Sequence, residues 1–317
     1  MKLALLRRLI ALIPTLFIVG VAVFSLRVLI PGGPAEAILG TNATPSSIDA
    51  LDRQLGLNRP LVSQFFSWLN GVLHWNFGDS YFSQQPVTTV IAQRLSPTLE
   101  LVIGALIVAL VVGGAIGIWA AIHYQDAAGR IALGATGIGL SVPDFWLATI
   151  ASGVFGVSLK WLPAVGYTPL SQGIGANLKS VILPILVLSL ASGALLARHL
   201  HSSVVAALRS PYVRTAWAMG LKPRQVYWTY AIRNSLGPTI TFLPLVVASL
   251  VGSSVIVEIV FAINGLASAI VQSISDRDYA VLQAVVLLLA VTVVVLNFLA
   301  DLALAFIDPR TRRTGGH

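Results

Sequence analysis

Four carboxylates stand in or beside long apolar stretches of this chain: Glu100, Asp144, Glu258 and Asp301. An ionised side chain in hydrocarbon is costly, so such residues are functional candidates by default, as ion partners, proton relays or the lining of a polar path. Asp144 follows Pro143, whose missing N–H frees a carbonyl and can open a helix toward a cavity. Glu258 follows Gly252-Ser253-Ser254, a small-residue run that lets backbones approach and offers hydroxyls for bonds across helices. Asp144 and Glu258 are therefore the candidates for a translocation path, with a structural charge pair as the plainer alternative. Glu100 and Asp301, near the ends of apolar stretches, and Arg27, near the end of the first, are placed to snorkel or to take a charged partner.

Other chemistry is missing. A phosphate-cradling loop needs Gly-Lys-Ser/Thr, because the lysine must reach the nucleotide phosphates. The four lysines are Lys2, Lys160, Lys179 and Lys222, and none follows a glycine. GxSxG, HExxH and EF-hand patterns are absent as well. His199 and His201, two apart, would splay by about 200° on a helix and make a poor metal pair. With no cysteine, disulfides, cysteine-based zinc sites and thiol catalysis are excluded. We expect no catalytic residues, no metal and no cofactor in this chain, and no enzyme activity of its own.

The elements that must position these charges are membrane helices. Hydrophobic residues make up 56% of the chain and charged ones 10%, against about 25% charged in an average soluble domain. A span needs about 20 mostly apolar residues. Six stretches qualify: Leu9–Ile30, Thr98–His123, Ile131–Val157, Val181–Leu200, Ile240–Phe261 and Val281–Ile307. Gly134, Gly137, Gly139 and Pro143 interrupt the third, and Pro184 the fourth. Leu9–Ile30 is too long for a signal-peptide core, and PGGPAEAILG after it is a poor cleavage match, so it reads as a retained anchor. Gly113 and Gly117 form a GxxxG pair that predicts close helix packing.

Lys and Arg in short loops set the orientation. With the N-terminus inside, cytoplasmic segments hold Lys2, Arg7, Arg8, Arg130, the cations from Arg198 to Arg233, and Arg310, Arg312 and Arg313. The short outer loops hold only Lys160, Lys179 and Arg277. Both termini are predicted cytoplasmic, and the net charge of +8 is a topology signal, not a nucleic-acid footprint.

Residues 31–96 form the one sizeable soluble segment. Thr44 can cap a helix with Pro45 at its first position, Ile48, Leu51 and Leu55 on one face, and Gly56 at its end. A second helix starts near Pro60, with Leu61, Phe65, Trp68 and Leu69 on one side. So short a segment carries little core of its own, so it should lean on the membrane part; its aromatics could pack on outer span ends or meet a partner. The sequon Asn42-Ala43-Thr44 reads as chance.

The remaining feature is the basic stretch 209–244. No Asp or Glu occurs between Asp144 and Glu258, an interval holding Lys160, Lys179, Arg198, Arg209, Arg214, Lys222, Arg224 and Arg233. The stretch has a helix-compatible run, a break at Gly220, a second run, then Pro238 and Pro244. Two readings stand on the residues alone: a positive-inside loop attracted to anionic lipid, or a helical pair parallel to the membrane that lodges in a partner and moves as a rigid body.

The chain resembles, over nearly its whole length, the B-type membrane subunit of dipeptide/oligopeptide/nickel ABC importers. LRRLIALIPTLF and LIPGGPAEAILG resemble that family's anchor and the start of its external domain. QLGLNRPLVSQFFSWL and NFGDSYFSQQPVTTVIAQRLSPTLEL resemble the rest of that domain and its entry into the second span. GLSVPDFWLA resembles the third-span segment, where a small polar residue is commoner than Asp144. YVRTAWAMGLKPRQVYWTYAIRNSLGPTIT resembles the "EAA" coupling segment, and VIVEIVFAINGLASAIVQSISDRDYAVLQ and DPRTRR complete the match. Trp217 and Met219 stand where relatives usually carry charges, and Asn264 where a proline commonly precedes the glycine kept here as Gly265.

The resemblance implies an all-α, six-span, type I ABC importer permease fold. Residues 1–30 would be the anchor, 31–96 an external helical domain, 97–308 the transmembrane domain with coupling segment 209–238, and 309–317 a cytoplasmic tail. Thr215, Ala216 and Gly220 would sit at the heart of the coupling motif, with Tyr212, Arg214, Leu221 and Arg233 fixing it on the ATPase. The implied partners are a homologous second permease, two ATPase subunits or domains that bind ATP and Mg, an external substrate-binding protein, and lipid. The expected location is the cytoplasmic membrane and the expected cargo short peptides. Nickel chelate, haem or glutathione is the alternative cargo; a proton-coupled secondary carrier is a further alternative, disfavoured because no internal repeat is evident.

Overall fold

The computed structural model describes residues 2–29, 33–40 and 43–307. The tail with Arg310, Arg312 and Arg313, the sequon's Asn42 and the end of the first predicted span at Ile30 lie outside the described residues. All regular elements among the described residues are helices: α1 Lys2–Leu29, α2 Pro34–Leu39, α3 Pro45–Gln54, α4 Leu61–Leu73, α5 Val87–Ile122, α6 Ala127–Ser141, α7 Asp144–Ser158, α8 Ile174–Leu208, α9 Pro211–Ala218, α10 Pro223–Val260, α11 Leu266–Ser275 and α12 Tyr279–Ile307.

Among the described residues, α5, α8, α10 and α12 are each long and apolar enough to cross a membrane, and α6 with α7 makes a fifth span if the bent pair counts as one. The two halves of that pair meet at 91°. The break falls at Val142 and Pro143, where proline withholds an N–H and disfavours helix in the residue before it. α1 adds a shorter apolar stretch, Leu12–Arg27. The helices also outrun the predicted spans. α5 begins at Val87 and α8 ends at Leu208, because an amphipathic turn continues a helix beyond the hydrocarbon without adding to the apolar run that marks it.

The chain forms two compact units. Of the described residues, one comprises Leu99–Ile263 with residues 2–4 and 296–307; the other comprises those of Leu5–Thr98 with Asn264–Val295. In the first, α8 is central: 67% of its apolar window is buried, against 33–39% for the other three long helices. Leu183, Val187, Leu188 and Leu196 of α8 join Leu101 and Ala105 of α5, Ala148 of α7 and Val246, Leu250 and Val257 of α10 in one core. The GxxxG pair does what its spacing predicts. A Cβ on Gly113 would lie 2.4 Å from the Gly193 carbonyl oxygen, and one on Gly117 2.5 Å from that of Ala197, so only glycine admits the α8 backbone there.

In the second unit, Val87 packs with Leu266, Ala269, Val281, Ala284 and Val285. The Thr98 hydroxyl accepts from the Leu266 N–H at 2.7 Å, which supports the start of α11, and Arg94 donates to Gln272 at 2.8 Å. Asp278 accepts from the Ser80 hydroxyl (2.5 Å), the Tyr81 N–H and the Val281 N–H (each 3.3 Å), so one buried carboxylate both caps α12 and holds the loop before α5. Residues 34–98 thus share their unit with α1, α11 and the first half of α12. α3 forms as predicted: Thr44 caps it in a capping box with Ser47, Pro45 opens it, and Gly56 follows it at φ 69°. No residue of α3 is buried, however, so the shared face of Ile48, Leu51 and Leu55 is not a core.

Candidate functional site

The corner between α8, α9 and α10 is assembled from local signals. Ser210 precedes α9 in extended geometry and Pro211 takes its first position, where a missing N–H is harmless. The helix ends after Ala218 because Gly220 adopts φ 74°, a left-handed conformation that glycine enters without steric cost. The Leu221 N–H then donates to the Ala216 carbonyl (3.3 Å) and the Gly220 N–H to that of Trp217 (3.0 Å). This is the paired bonding of a Schellman turn, and Leu221 packs back on the Ala216 cluster as such turns favour. Lys222 follows in extended geometry and Pro223 starts α10.

Burial divides the predicted coupling residues into two groups. Ala216, with Val213 and Val226, is fully buried beside Leu208, Leu221 and Tyr230, so it anchors α9. Tyr212, Arg214, Thr215, Gly220 and Arg233 are exposed, as are Trp217, Met219 and Trp228. Trp217 leans edge-on against Tyr227, ring centres 6.0 Å apart. Lys222, Arg224, Gln225, Trp228 and Thr229 line a surface concavity beside them. Among the described residues none of Arg214, Lys222, Arg224 and Arg233 makes a side-chain hydrogen bond or ion pair. Tyr227, Trp228 and the π-helical turn Val226–Ile232 were not singled out by sequence; their aromatic spacing after Pro223 was the available signal.

Two expectations are corrected. The second member of the predicted helical pair is not a separate short helix but the first turns of α10, which runs through Pro238 and Pro244 to Val260. Neither proline ends it, since neighbouring groups can re-satisfy a membrane helix around proline; the Ser235 and Thr239 hydroxyls bond the Ile232 and Ser235 carbonyls of this same helix, not the Asn234 and Ile240 carbonyls that the two prolines free. The Gly252-Ser253-Ser254 run makes no close approach at its glycine, and the Ser254 hydroxyl donates to Val251 of its own helix at 2.8 Å.

The other candidates are dispersed. Asp144 is half-buried in the first turn of α7, at the 91° break, where the helix N-terminus favours negative charge. Glu258 is fully buried in α10, and among the described residues no buried side-chain polar atom lacks a hydrogen-bond partner. Glu100 accepts from the Tyr167 hydroxyl (2.7 Å) and the Asn177 amide (2.8 Å). Arg198 donates to Thr136 at 3.0 Å. His199 stacks on Phe242, ring centres 3.9 Å apart. Arg27 donates to Gln64 and lies over the Phe24 ring.

Comparisons with known proteins bear on the whole arrangement. The family model described as the inner membrane component of binding-protein-dependent transport systems matches residues 113–313, and the model of the N-terminal part of such components matches residues 1–102. A probable peptide ABC transporter permease protein of Sinorhizobium fredii is 36% identical over 97% of this chain and 98% of its own length. A glutathione transport system permease protein of Salmonella typhi is 39% identical, again over 97% of this chain and 98% of its own length. A solved chain of the inward-facing MetNI methionine ABC transporter superposes with a TM-score of 0.58 at 16% identity, covering 70% of this chain and 97% of that one; at that identity the likeness concerns the fold.

Proposed function

The chain belongs to the family of binding-protein-dependent transport system inner membrane components, and from that premise we propose that it is the pore subunit of an ATP-driven importer of short peptides. It is an integral membrane protein of the ABC importer permease fold. The cargo class rests on relatives named for peptide and for glutathione transport, glutathione itself being a tripeptide.

The observation that carries the mechanism is the Schellman corner at Gly220. It sets a short helix rigidly on a buried Val213–Ala216–Val226 base and turns its cationic, aromatic side outward. Such a corner passes motion from a partner to α8 and α10 as a rigid body. Thr215, Tyr212, Arg214, Leu221 and Arg233 are the proposed contacts and supports for two ATPase subunits or domains, where ATP and Mg are bound and hydrolysed. A second permease and an external binding protein complete the complex. Alternating access then follows from nucleotide-driven closure of the ATPases. Both termini would be cytoplasmic, with residues 31–96 on the opposite side of the membrane. Asp144 is the favoured path residue because it keeps an accessible side chain at a helix break; Glu258, being enclosed, would reach the path only if α10 repacked.

The absence of cysteine from the sequence makes the test clean. A single cysteine in place of Thr215 should cross-link to the ATPase in the assembled complex, with a yield that changes on nucleotide binding. An assembled complex with no such cross-link would remove α9 from the interface.

A further inference from the structure

α4 has an apolar face that the coupling corner and the proposed path leave unused. At 100° per residue its thirteen residues divide into three stripes. Phe65 and Trp68 lie in the first and pack on α1. Phe65 meets the rings of Phe17 (5.7 Å) and Phe24 (5.4 Å), and Trp68 meets that of Phe24 (5.8 Å) and lies 3.9 Å from where a Cβ on Gly20 would stand. Ser63, Ser67 and Asn70 form the second stripe, all exposed. Val62, Phe66, Leu69 and Leu73 form the third. Phe66 is 57% exposed and Leu73 71%, and Trp75, just past the helix, is 72% exposed.

We infer that α4 is an interfacial membrane helix, its Val62–Phe66–Leu69–Leu73 stripe lying against the acyl chains of the leaflet at the Arg27 end of α1. This rests on reading α1 as a membrane span. Depth is the first argument. Phe65 and Trp68 touch α1 inside its apolar stretch Leu12–Arg27, centred on Gly20 to Phe24. That level lies about 5–10 Å inward of Arg27 at 1.5 Å per residue, the depth at which interfacial amphipathic helices bury their apolar face. Continuity is the second. The Phe66 ring packs on Phe65 at 5.4 Å and Phe65 on Phe17, which is itself 49% exposed. The apolar surface therefore runs unbroken from the span onto the free stripe. Length is the third: thirteen residues reach about 20 Å, too short to cross a core of about 30 Å. At the rim, Arg27 donates to Gln64, as a cation does when it snorkels to the interface.

The test uses single-cysteine variants carrying an environment-sensitive fluorophore, in the complete importer reconstituted into phospholipid vesicles. Labels at Phe66→Cys and Leu73→Cys should be quenched by spin-labelled phospholipid, and quenched by aqueous iodide several-fold less than a label at Gln54→Cys on exposed α3. Iodide access equal to that at Gln54→Cys would put the stripe in water and overturn the inference. Shielding from both quenchers would overturn it too, by showing that a protein subunit covers the stripe. Ile18→Cys, on the exposed side of α1, separates the premise from the inference. If lipid quenches Ile18→Cys but not Phe66→Cys, only the inference fails; if lipid does not reach Ile18→Cys, the span itself is misread.

Discussion

The α9–α10 corner and the α11–α12 corner are both tight turns between helices, yet they spend their polar groups in opposite ways. At the α11–α12 corner the polar groups are used internally. Asp278 accepts from Ser80, Tyr81 and Val281, Arg94 reaches Gln272, and Arg277 lies 4.0 Å from Glu36. At the α9–α10 corner the inside is a small apolar base, while Arg214, Lys222, Arg224 and Arg233 point outward without a side-chain partner among the described residues. Cations without a side-chain partner among the described residues, interleaved with exposed Trp217, Met219 and Trp228, fit the surface that the proposed ATPase contact would cover. A corner closed on its own carboxylate describes one that has to hold its shape.

That contrast is broken most severely at Gly220. A Cβ there would meet no neighbour within 4 Å, so Gly220→Val acts chiefly through the backbone, at about 1–2 kcal/mol for a left-handed non-glycine residue. Uptake should fall to background while the subunit still reaches the membrane and its melting temperature drops only slightly. Asp278→Ala should do the reverse. Losing charged hydrogen bonds and leaving Ser80 buried without its acceptor costs about 3 kcal/mol, read as lower abundance and thermal stability, with transport per folded complex retained. Charge reversal by Lys222→Glu together with Arg224→Glu should weaken ATPase retention in a salt-dependent way, with no change in the melting temperature of the subunit alone. The smallest effect is expected at Ala262, which ends α10 at φ 50°. Ala262→Gly should raise stability by about 0.5 kcal/mol by relieving the left-handed strain, leaving transport untouched.

The two corners also differ in how much the sequence discloses. Pro211, Gly220 and Pro223 act within a few residues of themselves, so the break and its flanking helices are legible locally. The cap at Thr44 is legible for the same reason. The Ser80–Asp278 bond joins residues 198 apart, and no local pattern announces it. The broken third span shows itself at Pro143 but not the 91° of its bend, which depends on packing. In α4 the side carrying Leu61, Phe65 and Trp68 is legible; the adjoining stripe of Val62, Phe66 and Leu73 is not, because two apolar faces that adjoin read as one, and Leu69, assigned by sequence to the first, belongs with the second. The pairing of α9 with a separate second helix failed because Pro238 and Pro244 suggest an end that a membrane helix does not have to obey.

The central claim is that the Gly220 corner transmits the partner's ATP cycle to the pore. Its most direct test is the ATPase activity of the reconstituted complex with and without peptide-loaded binding protein, for the native chain and for Gly220→Val. The account predicts a complex that still assembles and hydrolyses ATP at its basal rate but no longer responds to the loaded binding protein. Stimulation and uptake equal to those of the native chain would contradict it.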